Sequence, residues 1–432
     1  MNMIDAVTEP NITGEFVSLL GETYYRIGSY DAMPPFFITV VSRSDHWLFL
    51  ATTGGLAAGR INADHALFPY YTVDRITENA DNTGSKTLIH VTRHGETRLW
   101  MPFRDRVDSP YAITRALYKN IPGTSVIFEE VNADLGLTFR YAWRTSAAFG
   151  IVKTGWLSNQ GADSVSVTIT DGLLNVLPAS VTAATQNEFS VLLDAYKRTE
   201  LDPATGLGIY SLSSRLTDLA EPSEALRANV VWQVGLEARA YLISAAQLSA
   251  IQQGRSARTE TDIRGQRGAY FVQSTFTLAP DAERSWHIVA EVDQDAAAVA
   301  NFNGRLKAGT DRLYATVEDD IRDSSEQLRQ IVAGADGLQI SGDPLSTEHH
   351  FANVLFNVMR GGTFIDGYHI SKADFVAFID THDHALLERR ADFFAALPET
   401  FTTQALKQAA DAQADTDLIR LSIKIGRAHV CT

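Results

Sequence analysis

The residues best placed to do chemistry crowd into one stretch, Thr52 to Asp74, reading TTGGLAAGRINADHALFPYYTVD. A glycine pair leads into Arg60, Asn62, Asp64 and His65, and the stretch closes on Tyr70, Tyr71 and Asp74. Glycine and proline keep such a segment irregular, so these groups are not one face of a strand or helix. Arginine can clamp carboxylate or phosphate bidentately, and tyrosine offers a flat ring on which a sugar can stack. Two readings stand side by side. Either these residues shape a sugar site and the domain interface beside it, or they form a rigid Ω-loop whose polar groups satisfy one another. Asp64 and Asp74 are set aside as a glycosidase pair, because spacing along a loop does not set the carboxylate separation that chemistry needs.

Other candidate chemistry is weaker. His349, His350, His369, His382 and His384 fall close together in the sequence. On a helix His382 and His384 point about 200° apart and His349 and His350 about 100° apart, so neither pair chelates a metal from one helix. The glycine run lacks a Gly-Lys-Ser/Thr ending and does not match Gly-x-Gly-x-x-Gly, which argues against a nucleotide loop. His90 and Glu96, on neighbouring expected strands, are the pair a sandwich-borne acid–base enzyme would use. Asn353, Asn357 and Arg360 share a polar helical face before Gly361-Gly362, which either docks against another domain or is simply solvated.

The elements that must position these residues follow from hydrophobic period. From about residue 15 to residue 293 the period is two: Phe139, Tyr141 and Trp143 alternate with Arg140, Ala142 and Arg144, and Val165, Val167 and Ile169 with Ser166, Thr168 and Thr170. Residues Phe36 to Val41 and Trp47 to Ala51 flank an Arg43-Ser44-Asp45 turn, a hairpin pattern. All six tryptophans lie in this region. Helical interruptions are expected near 110–119 and 243–253. Near residue 294 the spacing changes to three, four and seven, through Val299, Phe302, Leu306, Val317, Ile321 and Leu328, which is an amphipathic helix pattern. Further helices are expected at 346–359, 371–379, 384–396 and 402–412. If the chain is an N-terminal fragment, Phe351, Leu355, Phe375, Phe378 and Leu387 should present an exposed apolar face that seeks a partner, which a complete binding module would not.

Composition bounds the class. The chain has 432 residues, 45% hydrophobic and 21% charged, with 37 Lys plus Arg against 52 Asp plus Glu, a net charge of −15. That balance repels phosphate backbones and anionic lipid, so neither nucleic acid nor a membrane surface is an expected partner. No signal-peptide pattern opens the chain and no apolar run is long enough to span a bilayer. The single cysteine, Cys431, leaves no disulfide framework, and a cytoplasmic location fits best. Ile425 to Val430 reads like translated sequencing adapter, so the natural chain is expected to continue past Lys424; a natural frayed tail is the alternative.

The motifs resemble the cellobiose and chitobiose phosphorylases of glycoside hydrolase family 94. The points of likeness are the strand from Phe36, the Gly54-Gly55 pair, Arg60 to Asp64, Leu67-Phe68-Pro69-Tyr70-Tyr71, Glu96 to Pro102 with its Trp-x-Pro, Thr154 to Asn159, and Arg267-Gly268-Ala269 with Phe271. Ala57-Ala58 replaces an aromatic of that family and residues 349–362 echo its connector only loosely. The chain therefore looks like a relative, such as the longer β-1,3-oligoglucan phosphorylases. The resemblance implies a mainly β then α chain. A large antiparallel β-supersandwich of the galactose mutarotase type (1–293) is followed by a helical linker (294–340) and a helical segment (341–424) starting an (α/α)6 barrel, with 425–432 a non-native tail. It implies an inverting phosphorylase of β-linked gluco-oligosaccharides as the parent. Such an enzyme uses inorganic phosphate as co-substrate and no metal or organic cofactor, and its general acid and phosphate-binding residues lie in a barrel beyond Lys424. The expected partners are the oligosaccharide, that barrel and a second copy in a homodimer. Two alternatives remain open: a stand-alone, non-catalytic sugar-binding sandwich, and a mutarotase-like or hydrolytic enzyme working from the sandwich.

Overall fold

The computed structural model describes residues 11–69, 73–105, 108–214, 226–310, 312–335, 337–338, 344–357, 369–419 and 421–422. The expected tail lies outside these. The chain divides into two compact units, Met1–Glu326 and Gln327–Thr432.

Long alternating strands in the first unit bury one set of side chains between sheets. An antiparallel sheet of eleven strands runs, in spatial order, Thr13–Leu19, Glu22–Gly28, Ile113–Asn120, Ser125–Asn132, Leu137–Ser146, Gly150–Asn159, Glu283–Asp295, Arg227–Val234, Leu207–Leu212, Lys197–Asp202 and Asp262–Arg264. Facing it is a five-stranded sheet, Ala240–Leu242, Gly268–Leu278, Val165–Val176, Gly84–Arg93 and Glu96–Trp100, and beside both is a three-stranded sheet, Phe37–Val40, His46–Ala51 and Leu56–Arg60. Ile89, Val167, Ile169 and Val272 of the second sheet and Leu48, Leu50 and Leu56 of the third share one core with Phe139, Tyr141, Trp143 and Trp286 of the first. Burying one such large apolar side chain contributes about 1.5–3 kcal/mol.

The switch of period falls where expected. Asp295 accepts from the Ala298 amide and caps the helix Ala296–Lys307, and a 22-residue helix, Leu313–Gly334, follows. Leu306, Val317 and Ile321 pack on Val152, Val230, Trp232 and Val289, on the opposite face of the large sheet. One expectation fails here: residues 113–120 form a strand, not a helix. Both faces of that strand are covered, so Ala116, Leu117 and Tyr118 are all buried and no alternation appears in the sequence.

The second unit contains a closed core at its C-terminal side. Strands His369–Ser371 and Thr400–Thr402 pair, and helices Lys372–His382, His384–Arg389, Ala391–Ala396 and Thr403–Asp411 pack around Phe375, Ile379, Leu386, Phe394 and Phe401. Ser371 and Thr402 cap the first and last of these helices. Phe351, Leu355 and Phe375 are buried, and Phe378 and Leu387 pack against this core, so the expected bare apolar face is not present on these five residues. No helix among the described residues is long and apolar enough to cross a membrane.

Candidate functional site

A cavity of about 860 Å³ opens within the first unit. Its floor comes from three adjacent strands of the large sheet. Tyr141 stands opposite Phe128 in register, with the two rings stacked at 5.0 Å, and Arg115 stands opposite Glu130. Phe103 lies edge-on to Tyr141 at 5.1 Å. The walls are loops: the Tyr30–Ala32 turn, Thr52–Gly54, Thr77–Asp81 and Met101–Asp105 with Asp108; Ser85 to Thr87 come from the second sheet. Gly54, at φ 93°, turns the hairpin there, and at Gly55 a Cβ would fall 1.9 Å from the Ile76 carbonyl. Trp100, from the Trp-x-Pro motif, donates its indole N–H to Glu130 at 2.7 Å. The same carboxylate accepts the Phe103 amide and Arg115 Nε, both at 2.8 Å. The glycine pair and the Trp-x-Pro hairpin therefore build one site.

Charge on the cavity walls is unbalanced. Among the described lining residues, five carboxylates (Asp31, Glu78, Asp81, Asp105 and Asp108) stand against three cations (Lys86, Arg104 and Arg115). Arg115 lies 3.5 Å from Asp31 and Arg104 3.7 Å from Asp108. Lys86 has no ion-pair partner among the described residues. Tyr141 is 4% exposed, and burial pushes its hydroxyl well above the usual tyrosine range, so it stays protonated. Directly behind the floor is a fully buried ion pair that joins the two sheets, Lys153 to Asp171. Asp171 also accepts from Thr87 Oγ1 at 2.6 Å and from Trp286 Nε1 at 2.7 Å. Burial lowers the Lys153 pKa, against the opposing pull of Asp171.

The residues singled out by sequence lie elsewhere. None of Arg60, Asn62, Asp64 and His65 lines this cavity. Arg60 bonds Asp45 at 2.6 Å and Glu291 at 3.2 Å, and His46 reaches Glu291 at 3.4 Å. Asn62 Oδ1 accepts from the Asp64 amide at 3.0 Å and lies 3.1 Å from His65 Nδ1, while the Asn62 carbonyl accepts Trp47 Nε1. His65 Nε2 lies 3.7 Å from Asp293. Tyr70 and Tyr71 fall outside the described residues, and only the backbone of Asp74 is described, in the one-turn helix Val73–Ile76.

The sandwich acid–base pair does not converge. His90 stands opposite Leu99 and Glu96 opposite Arg93; Glu96 is exposed and held by Arg98, which lowers its pKa. His382 Nδ1 lies 2.8 Å from the Phe378 carbonyl and His384 Nδ1 2.5 Å from Asp380. No group of three His, Cys, Asp or Glu residues able to hold a metal occurs among the described residues. Asn353 and Asn357 lie on the helix Pro344–Asn357, and Arg360 to Gly362 lie outside the described residues.

Sequence reasoning missed Tyr141, Phe103, Arg115 and Lys86 as site residues. It read Tyr141 only as one inward position of a core strand. A signal was available in Lys153 and Asp171, which put charges at positions that the alternation sends inward.

Comparison with known proteins adds a local match. Residues 364–424 match the model of glycoside hydrolase family 149 insertion domain 1. No curated protein matches the chain. Among solved structures, the chain is similar to a proposed kojibiose phosphorylase from the human microbiome (8% identity, 82% of this chain and 40% of that one, TM-score 0.38). It is similar to a bacterial glucoamylase complexed with acarbose (9% identity, 86% and 53%, TM-score 0.36). It is also similar to a galactose mutarotase-like protein from Clostridium acetobutylicum (9% identity, 66% and 99%, TM-score 0.29). The chain spans about half or less of the length of the first two, and likeness at this level carries no argument about activity.

Proposed function

We propose that this chain is the carbohydrate-binding, structural portion of a carbohydrate-active enzyme whose parent reaction is inverting phosphorolysis of β-linked gluco-oligosaccharides. The observation that carries the reading is the match of residues 364–424 to an insertion domain of a glycoside hydrolase family. The β-then-helix order supports it, as does the meeting of the Gly54-Gly55 and Trp-x-Pro motifs at one cavity. In this reading the chemistry belongs to an (α/α)6 barrel of the same protein, a cytoplasmic homodimer, with inorganic phosphate as co-substrate. Arg60, Asn62, Asp64, His65, Tyr70, Tyr71 and Asp74 then have a substrate-shaping or domain-interface role.

The test is phosphate-dependent release of a sugar 1-phosphate from β-linked gluco-oligosaccharides by the protein expressed from its complete gene. Release that requires phosphate supports the reading. Release of free sugar without phosphate overturns the phosphorylase part of it. A second reading, a non-catalytic sugar-binding sandwich, is favoured by one observation: every described residue that lines the cavity belongs to the first unit. It predicts sugar binding with no turnover in either assay.

A further inference from the structure

We propose that the cavity in the first unit is a binding site for the end of a neutral glycan, with the Tyr141 hydroxyl and the Lys86 ammonium as its ligand-facing donors. The inference rests on the carbohydrate reading above for the class of ligand, and on geometry for the site itself.

Tyr141 carries the argument. Its side chain is 4% exposed, and its hydroxyl makes no hydrogen bond to another described residue. The hydroxyl faces the cavity beside Gly54, where an added Cβ would sit 3.7 Å from it. The hydroxyl oxygen is not among the fully buried polar atoms, so it opens onto the cavity, where a water or a ligand can reach it. The ring beneath it is fixed on both sides, stacked on Phe128 and met edge-on by Phe103. The donor is therefore held in place before a ligand arrives, which lowers the ordering cost of binding.

The rest of the cavity selects the chemistry. The carboxylates of Glu78 and Asp81 on the wall can accept the hydroxyl protons of a sugar. Arg115 is already engaged by Glu130, Asp31 and the Arg104 carbonyl, and Arg104 by Asp108, which leaves Lys86 as the wall cation without an ion pair among the described residues. Among the described lining residues five carboxylates stand against three cations, a balance that disfavours phosphorylated or acidic sugars. This separates the site from any phosphate-handling centre. The volume of about 860 Å³ lies within the roughly 300–1,000 Å³ usual for small-molecule sites.

Calorimetric titration of the full chain tests this, using neutral β-linked gluco-oligosaccharides and, in parallel, glucose 1-phosphate. The expected result is saturable binding of a neutral oligosaccharide and much weaker binding of the phosphate ester. Tyr141→Phe and Lys86→Ala should each weaken binding by about fivefold to tenfold, with thermal midpoints near wild type. Phe103→Ala serves as a second probe of the floor, read only if it retains the wild-type unfolding transition. No saturable neutral-sugar binding at millimolar concentration overturns the proposal. So does binding that neither Tyr141→Phe nor Lys86→Ala changes, or tighter binding of glucose 1-phosphate. The phosphorolysis assay fails or succeeds separately: cavity-dependent binding without phosphorolysis leaves this site standing and removes the parent reaction, and phosphorolysis without cavity-dependent binding does the reverse.

Discussion

The turn at Arg60–His65 and the cavity floored by Tyr141 are built from similar residue types and end in opposite states. In the turn the polar groups are satisfied within the protein: Asn62 holds its sequence neighbours Asp64 and His65, and Arg60 reaches back to Asp45 and across to Glu291. In the cavity the groups arrive from separate strands and loops, and among the described residues the Tyr141 hydroxyl makes no hydrogen bond and Lys86 no ion pair. Density of chemistry along a sequence favours internal satisfaction, because short loops bring neighbours together at little entropic cost. Convergence of distant residues leaves capacity that a ligand can use.

The largest expected effect lies behind the cavity floor. Asp171→Asn leaves the Lys153 ammonium buried with no counter-charge, which should cost about 3–5 kcal/mol. Denaturation followed by tryptophan fluorescence reads this directly, since all six tryptophans lie in the first unit. The double variant Lys153→Met with Asp171→Asn should recover most of the loss. No bare charge remains in it, and the side-chain amide introduced at position 171 can still accept from Trp286. A single variant with near-wild-type stability would mean that water reaches the pair from the cavity and solvates the ammonium, so the pair is not closed off from solvent.

Much of the architecture was legible, and the reasons differ from element to element. The change of period near residue 294 is written in the sequence because a half-buried strand and a surface helix sort side chains differently, and Asp295 marks the boundary as a cap. The strand Ile113–Asn120 was hidden because both its faces are covered. The cavity was hidden for another reason. Tyr141 occupies an ordinary inward position of Leu137–Ser146, and nothing local distinguishes a ring that meets other rings from one whose hydroxyl meets a cavity. Only the pairing of Leu137–Ser146 with Ser125–Asn132, and the loop that brings in Phe103, makes that distinction.

A third polar cluster, on the helix-covered face of the large sheet, sharpens the contrast through pH. His287 is fully buried, stacked on Tyr314 at 4.1 Å, with Nδ1 2.9 Å from Thr154 Oγ1. Burial, with the Arg144 guanidinium adding to it, pushes its pKa down from 6.5 to about 3. The folded state therefore binds fewer protons than the unfolded state between these values, so the stability His287 contributes is complete above pH 6.5 and is lost as pH falls toward 3. Against wild type, His287→Gln should flatten the fall in unfolding midpoint across that window. Equal slopes would show that other groups carry the acid sensitivity.

The smallest effect discriminates best between the two regions. Asn62→Ala removes the acceptor that the Asp64 amide and the His65 ring share, and it leaves the backbone carbonyl at that position free to keep Trp47. Loss of an exposed Asx-type bond of this kind should cost about 1 kcal/mol, since water replaces part of what is lost. The same variant should leave oligosaccharide affinity unchanged, because the turn does not line the cavity. Tyr141→Phe should show the reverse pattern, with stability kept and affinity reduced. If Asn62→Ala instead weakens sugar binding as much as Tyr141→Phe does, the internal hydrogen bonds of the turn hold a second part of the binding surface in shape. Arg60, Asn62 and His65 would then regain the substrate-shaping role that their composition first suggested.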